Sequence, residues 1–129
     1  MWLSINEKDN RPIYLQIINQ VKEQVSSGAL KPGDELPSVR ELADSLGINL
    51  HTVRSAYLKL RDQGIITLRL GRRATIARTP FPTKNKDTEA HLRQEIKELI
   101  TDASLMGLSP GELHDLIDKQ WDGKKEAQP

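Results

Sequence analysis

Between positions 10 and 27 the apolar residues recur at helical spacing. Ile13, Ile17, Ile18, Val21 and Val25 fall on one face, with Lys22, Glu23 and Gln24 between them. This predicts an amphipathic helix from Asn10 to Ser27. Pro12 suits its first turn, where a missing N–H has no helical partner anyway. Gly28 ends it, and Leu30 is placed for the apolar contact that follows such a cap. Lys31-Pro32-Gly33-Asp34 is a turn by composition. Ser38-Val39-Arg40-Glu41 has the form of a capping box, in which Ser38 and Glu41 satisfy each other's free N–H groups. It opens a short helix carrying Val39, Leu42, Ala43 and Leu46, closed by Gly47. Asn49 then caps a third helix to about Gln63, with Val53, Ala56, Tyr57 and Leu60 on one arc and Gly64 as its stop.

The second and third helices are joined by a turn of about three or four residues containing a glycine, the spacing of a helix-turn-helix. At roughly 100° per residue, His51, Arg54, Ser55 and Leu58 point away from the apolar arc. Ile65 to Leu70 is a short β-branched run, and Thr75-Ile76-Ala77 follows after Gly71-Arg72-Arg73-Ala74. That pattern predicts a two-stranded hairpin with a basic tip, and helix-turn-helix plus hairpin makes a winged helix. Thr79 to Lys86 holds two prolines and no period, as a semi-extended linker does. A long helix from Asp87 to Met106 carries Leu92, Ile96, Leu99, Ile100, Ala103 and Met106, and Gly107 ends it. Ser109-Pro110-Gly111-Glu112 is a second capping box, opening a helix with Leu113, Leu116, Ile117 and Trp121. The expected architecture is mostly α with a small β-hairpin. A winged helix-turn-helix occupies 1–79 with its core at 11–78, a linker 80–86, a two-helix hairpin 87–122, and a frayed tail 123–129.

A two-helix hairpin covers only part of its own apolar stripes. Leaving each Leu or Ile wet costs about 1.5–3 kcal/mol, and a second copy solves the problem by making a four-helix bundle. Residues 87–122 are therefore expected to form a homodimer through Leu92, Ile96, Leu99, Ile100, Ala103, Met106, Leu113, Leu116, Ile117 and Trp121. Packing within the same chain is the competing arrangement, and a pocket for an unidentified small-molecule effector a third.

Charge changes the picture only once the chain is divided. The whole carries 19 Lys/Arg and 18 Asp/Glu, a net of +1. Residues 1–84 hold 13 basic and 8 acidic residues, net +5, whereas 85–129 hold 6 and 10, net -4. A polyanion-facing module joined to an element with another task fits this asymmetry. Cysteine is absent, which removes disulfides, thiolate catalysis and cysteine-held metals. There is no Ser-His-Asp set, no paired carboxylate arrangement and no phosphate-cradling Gly-rich loop, so no enzyme is expected, and no cofactor or metal. His91, His114 and Asp118 are read as solvated helix residues. No apolar run approaches the roughly 20 residues of a membrane span, and the N-terminus lacks a signal-peptide pattern. A cytoplasmic, nucleoid-associated protein is the expectation. RNA is disfavoured as a target by the lack of a stacking set of aromatics.

Three strings carry a resemblance: Pro12-Ile13-Tyr14-Leu15-Gln16-Ile17, the run from Gly28 to Ala43 with its Pro32-Gly33-Asp34-Glu35-Leu36-Pro37-Ser38 centre, and Thr52-Val53-Arg54-Ser55-Ala56-Tyr57. Together they make residues 11–78 resemble the GntR family of bacterial transcription regulators. The helical tail, with Ala103 to Ser109 leading into Glu112-Leu113, resembles the YtrA-like subfamily. The resemblance implies a dimer that binds a pseudo-palindromic operator in double-stranded DNA, usually as a repressor. It places Arg40 on phosphate or base, Asn49, Leu50, His51, Thr52 and Arg54 at the start of the recognition helix, and Gly71 at the wing tip. Ser55 completes the outer face of that helix. Arg54 and His51 are expected to read bases, Asn49 and Thr52 to hold phosphates or bases, and Leu50 to meet a thymine methyl. At the wing, Arg73 and Ala74 stand where the family usually has glycine and threonine. With Arg72, Arg73 adds a second cation for a narrow minor groove. A winged helix that serves as a protein-interaction module is the competing function. It would not need Arg40, Arg54, Arg72 and Arg73 on one side.

Overall fold

The computed structural model describes residues 3–80 and 85–127. Among them run helix α1 (Ile13–Ser27), α2 (Val39–Leu46), α3 (Leu50–Asp62), strands β1 (Ile66–Thr67) and β2 (Thr75–Ile76), then α4 (Lys86–Leu105) and α5 (Pro110–Ala127). The chain divides into two compact units, Met1–Pro82 and Thr83–Pro129. The middle of the expected linker, residues 81–84, lies outside the described residues, as do 128–129.

In the first unit α3 is the central helix, packed against both α1 and α2. Val53, Ala56, Tyr57 and Leu60 turn inward from α3, and Ile17, Ile18 and Val21 meet them from α1. Leu42 and Ala43 of α2 close one side, and Leu36, Ile65, Ile66, Ala74 and Ile76 the other. Ile13, expected on the buried face of α1, is exposed because it begins the helix. The helix starts three residues later than the apolar pattern suggests. The Arg11 N–H donates to Asp9 Oδ1 (2.9 Å), turning the chain before Pro12, and Pro12 stands as the cap residue.

Antiparallel strands β1 and β2 pair Ile66 with Ile76 and Thr67 with Thr75. The strands are shorter than the β-branched run suggests, because a turn takes its end. The Arg72 N–H donates to the Arg69 carbonyl (3.1 Å), with Gly71 at positive φ in third position. Leu70 is thereby placed fully exposed at the tip. A tight tip forms despite Arg73 and Ala74. Ala74 is buried, and its carbonyl accepts from the Leu36 N–H (2.8 Å). With Ile76 N–H to the Asp34 carbonyl (2.9 Å), this makes residues 34–36 a third, strand-like partner of β2.

Helices α2, α3 and α4 stop in the same way. A glycine at positive φ follows each (Gly47, Gly64, Gly107), and the next residue's N–H returns to the last turn: Ile48 to Ala43, Ile65 to Leu60, Leu108 to Ala103. In the second unit Asn85 and Thr88 form a capping box at the start of α4, one residue ahead of the expected helix. Ser109 and Glu112 form the box expected for α5, with N–H to oxygen distances of 3.0 and 3.2 Å. Helix α5 continues through Ala127, past the expected end at 122. The Lys124-Lys125-Glu126-Ala127 stretch has no apolar period, but all its residue types favour helix.

Candidate nucleic-acid interface

Local chemistry sets the start of α3. The Asn49 side chain accepts from the His51 N–H (2.7 Å), which ends the turn after α2 and aims the first helical turn outward. Leu50, His51, Arg54 and Ser55 are exposed there, and Thr52 is half-buried. Asn49 thus has a structural role as cap, whatever else it contacts. Arg40 is exposed in the first turn of α2, and Gly71 and Arg72 are exposed on the wing. Among the described residues, Arg40, Arg54 and Arg72 form no ion pair, whereas Arg61 pairs with Asp62 and Arg73 with Glu41.

That last pair departs from the picture of two free cations at the tip. Arg73 donates through both terminal nitrogens to the two Glu41 oxygens (2.7 and 2.6 Å), and its Nε lies 3.9 Å from Glu35. Glu41 accordingly completes only half of the expected capping box. Its N–H donates to Ser38 Oγ (3.1 Å), but its carboxylate faces the wing. The Arg73 hydrogen bonds hold the Glu41 carboxyl below its ordinary range, with a weaker push in the same direction from the Ser38 backbone.

Behind this surface, Tyr57 donates its hydroxyl to the Pro37 carbonyl (2.6 Å). Burial first, then the nearby Glu41 charge, pushes its phenol well above the usual range, so it acts as a fixed donor. The bond ties the middle of α3 to the residue before the Ser38 cap, and so sets where Arg40 stands. Lys59 lies with its ammonium 5.8 Å from the Tyr14 ring centre, joining α3 to α1.

Two further exposed cations emerge only in three dimensions. Arg69 and Arg78 border a shallow hollow on the wing, lined also by Pro32, Gly33, Thr67, Thr75 and Ile76. Their signal along the chain is the basic excess of the wing itself, 9 Lys/Arg against 3 Asp/Glu over residues 40–84. No motif singles them out.

In the second unit the expected stripe is present and largely uncovered. Leu92 is 57% exposed, Ile96, Leu99, Ile100, Leu116 and Ile117 are between 41% and 49%, and Trp121 is 64%. Met106 is also exposed, Leu113 is half-buried, and Ala103 is buried. His91 lies 2.8 Å from Glu95 on the same helix. Among the described residues, no helix is long and apolar enough to cross a membrane.

A helix-turn-helix braced by a β-wing, with exposed unpaired cations on its second helix, its first helix and its wing, defines a winged-helix DNA-binding protein. Comparison with known proteins narrows the class. The model for bacterial regulatory proteins of the gntR family matches residues 13–76. The HTH-type transcriptional repressor YtrA of Bacillus subtilis is 39% identical over 115 residues, covering 89% of this chain and 88% of the relative. A transcriptional antiterminator from Listeria monocytogenes superimposes with a TM-score of 0.84 at 35% identity, covering 94% of this chain and 90% of that one. The DNA-binding domain of AraR, solved in complex with an operator, matches at a TM-score of 0.50 and 25% identity, over 57% of this chain and 89% of that one. The chain belongs to the GntR family of transcriptional regulators.

Proposed function

We propose that this regulator represses transcription as a homodimer seated on a pseudo-palindromic operator. The observation that carries the reading is that Arg40 in the first turn of α2, Arg54 in α3 and Arg72 on the wing are all exposed and, among the described residues, form no ion pair, while Arg61 and Arg73 do. Cations left without carboxylate partners on a domain that pairs others are available to phosphates and base edges. The start of α3 enters the major groove, where Arg54 and His51 read bases and Leu50 meets a thymine methyl. Thr52, Ser55 and the Asn49 cap hold the backbone nearby, Arg40 anchors a phosphate, and Gly71 lets Arg72 approach the minor groove. Dimerisation through α4 and α5 is supported by the uncovered stripe from Leu92 to Trp121, which a second copy would bury as a four-helix bundle. Repression follows the similarity to YtrA, which is named a repressor.

Selection of bound sequences from a random duplex pool, with the full chain at moderate salt, tests this. An enriched inverted repeat is the expected result, its half-sites about one helical turn or a multiple apart. Salt-labile retention with no enriched sequence would overturn it. On the selected site, Arg54→Ala should weaken binding by about 1–3 kcal/mol and relax one base position.

A further inference from the structure

We propose that Arg73 is a positioning residue of the DNA interface, tying the wing to the start of α2 through Glu41, and not one of the interface's phosphate contacts. The inference rests on the DNA-binding reading above. Its basis is the placement of the pair. Glu41 directly follows Arg40 in α2, and Arg73 directly follows Arg72 in the wing. The two-pronged Arg73–Glu41 contact therefore joins the backbone that carries one free cation to the backbone that carries another, across 32 residues of sequence. A planar guanidinium on both carboxylate oxygens fixes orientation as well as distance. Backbone bonds from Leu36 to Ala74 and from Ile76 to Asp34 hold the same corner. Arg73 also stands within reach of Glu35, so it offsets two carboxylates that would otherwise lie bare beside a surface meant for a polyanion. An arginine used this way is not free to neutralise a phosphate. Its contribution is preorganisation: Arg72 and Arg40 are held at a set separation before DNA arrives.

The two roles for Arg73 predict opposite signs at Glu41. If Arg73 held a phosphate, Glu41→Gln would release it and remove a repelling charge, so binding would tighten. Arg73→Gln would then make the negative slope of log K against log salt shallower by about 0.9 for each phosphate no longer neutralised. For the positioning role, we expect Glu41→Gln and Arg73→Gln each to weaken binding of the selected duplex roughly two- to fivefold. The double variant should be no worse than either single one, and the salt slope should stay at its original value. Hydrogen exchange on the DNA-free full chain supplies a separate readout. The Leu36 and Ile76 amides should exchange faster in both single variants. Tighter binding by Glu41→Gln, a shallower slope for Arg73→Gln, or unchanged amide protection would each overturn the assignment. If the unsubstituted chain bound no DNA, the proposed function itself would fall, and the amide protection would still report whether the tie exists.

Discussion

The first unit turns its large apolar side chains inward, while the second leaves most of its own on the surface. From Leu3 to Ile76, residues of three helices and the wing close a continuous core, and Ile17, Val53, Ala56 and Leu60 are wholly buried. From Leu92 to Trp121, Ala103 alone among the described apolar residues is buried, although the stripe recurs at helical spacing as those of α1 and α3 do. An amphipathic pattern thus predicts which face wants burial, and says nothing about whether its cover lies in the same molecule. A domain with elements on several sides supplies its own cover. Helices α4 and α5 pack little on each other and have too few faces to do so, and the exposed apolar area is what the proposed second copy would cover.

The contrast makes concentration the natural variable. Leu60→Ala, in the middle of the first core, should cost about 2–5 kcal/mol. That loss should be the same at every protein concentration, as chemical unfolding followed over a wide dilution series would reveal. Leu99→Ala, on the uncovered stripe, should cost about 1.5–3 kcal/mol at most. Its effect belongs to association, so the thermal midpoint of the second unit should fall further as the protein is diluted. A concentration-independent loss at Leu99 would mean that the stripe is covered within one chain, and the comparison between the units would collapse. The smallest effect concerns the cap of α5. The Ser109 backbone N–H, then its hydroxyl, holds the Glu112 carboxyl below its ordinary range. A carboxylate depressed in the folded state stabilises fully above its unfolded-state pKa, and that contribution is lost as pH falls through the depressed value. Glu112→Gln should flatten this acid limb in a pH series of thermal melts. An unchanged limb would separate the cap from the stability of the second unit.

Much of the candidate interface is legible in the chain. His51 and Arg54 are exposed as the helical arc of α3 requires, Arg40 is exposed at the position the family resemblance points to, and Asn49 caps α3 as its residue type and place suggest. Along the chain Arg73 reads as a free cation, because a basic tip carries no mark of its partner, and Glu41 reads as part of a local cap for the same reason. The extended edge at 34–36 goes unread along the chain, since Lys31-Pro32-Gly33-Asp34 signals only the turn that leads into it and nothing nearby signals β2. Arg69 and Arg78 lack any pattern beyond charge.

What the sequence by itself determined is therefore the set of helices and, for the four that a glycine at positive φ follows, where they stop. Those signals act over three or four residues: a Ser or Asn with its N–H partner one turn on, a glycine free to adopt positive φ, an apolar residue repeated once per turn. The tertiary structure decided how distant segments were joined. The Gln16 and Gln20 side-chain amides bind the backbone of Asn6 and Ser4, fastening the N-terminal segment to α1. Tyr57 reaches Pro37, and Arg73 reaches Glu41. Each bond needs a donor and an acceptor brought within about 3 Å by the packing of whole elements. Neither partner differs, along the chain, from the many polar residues that stay in water.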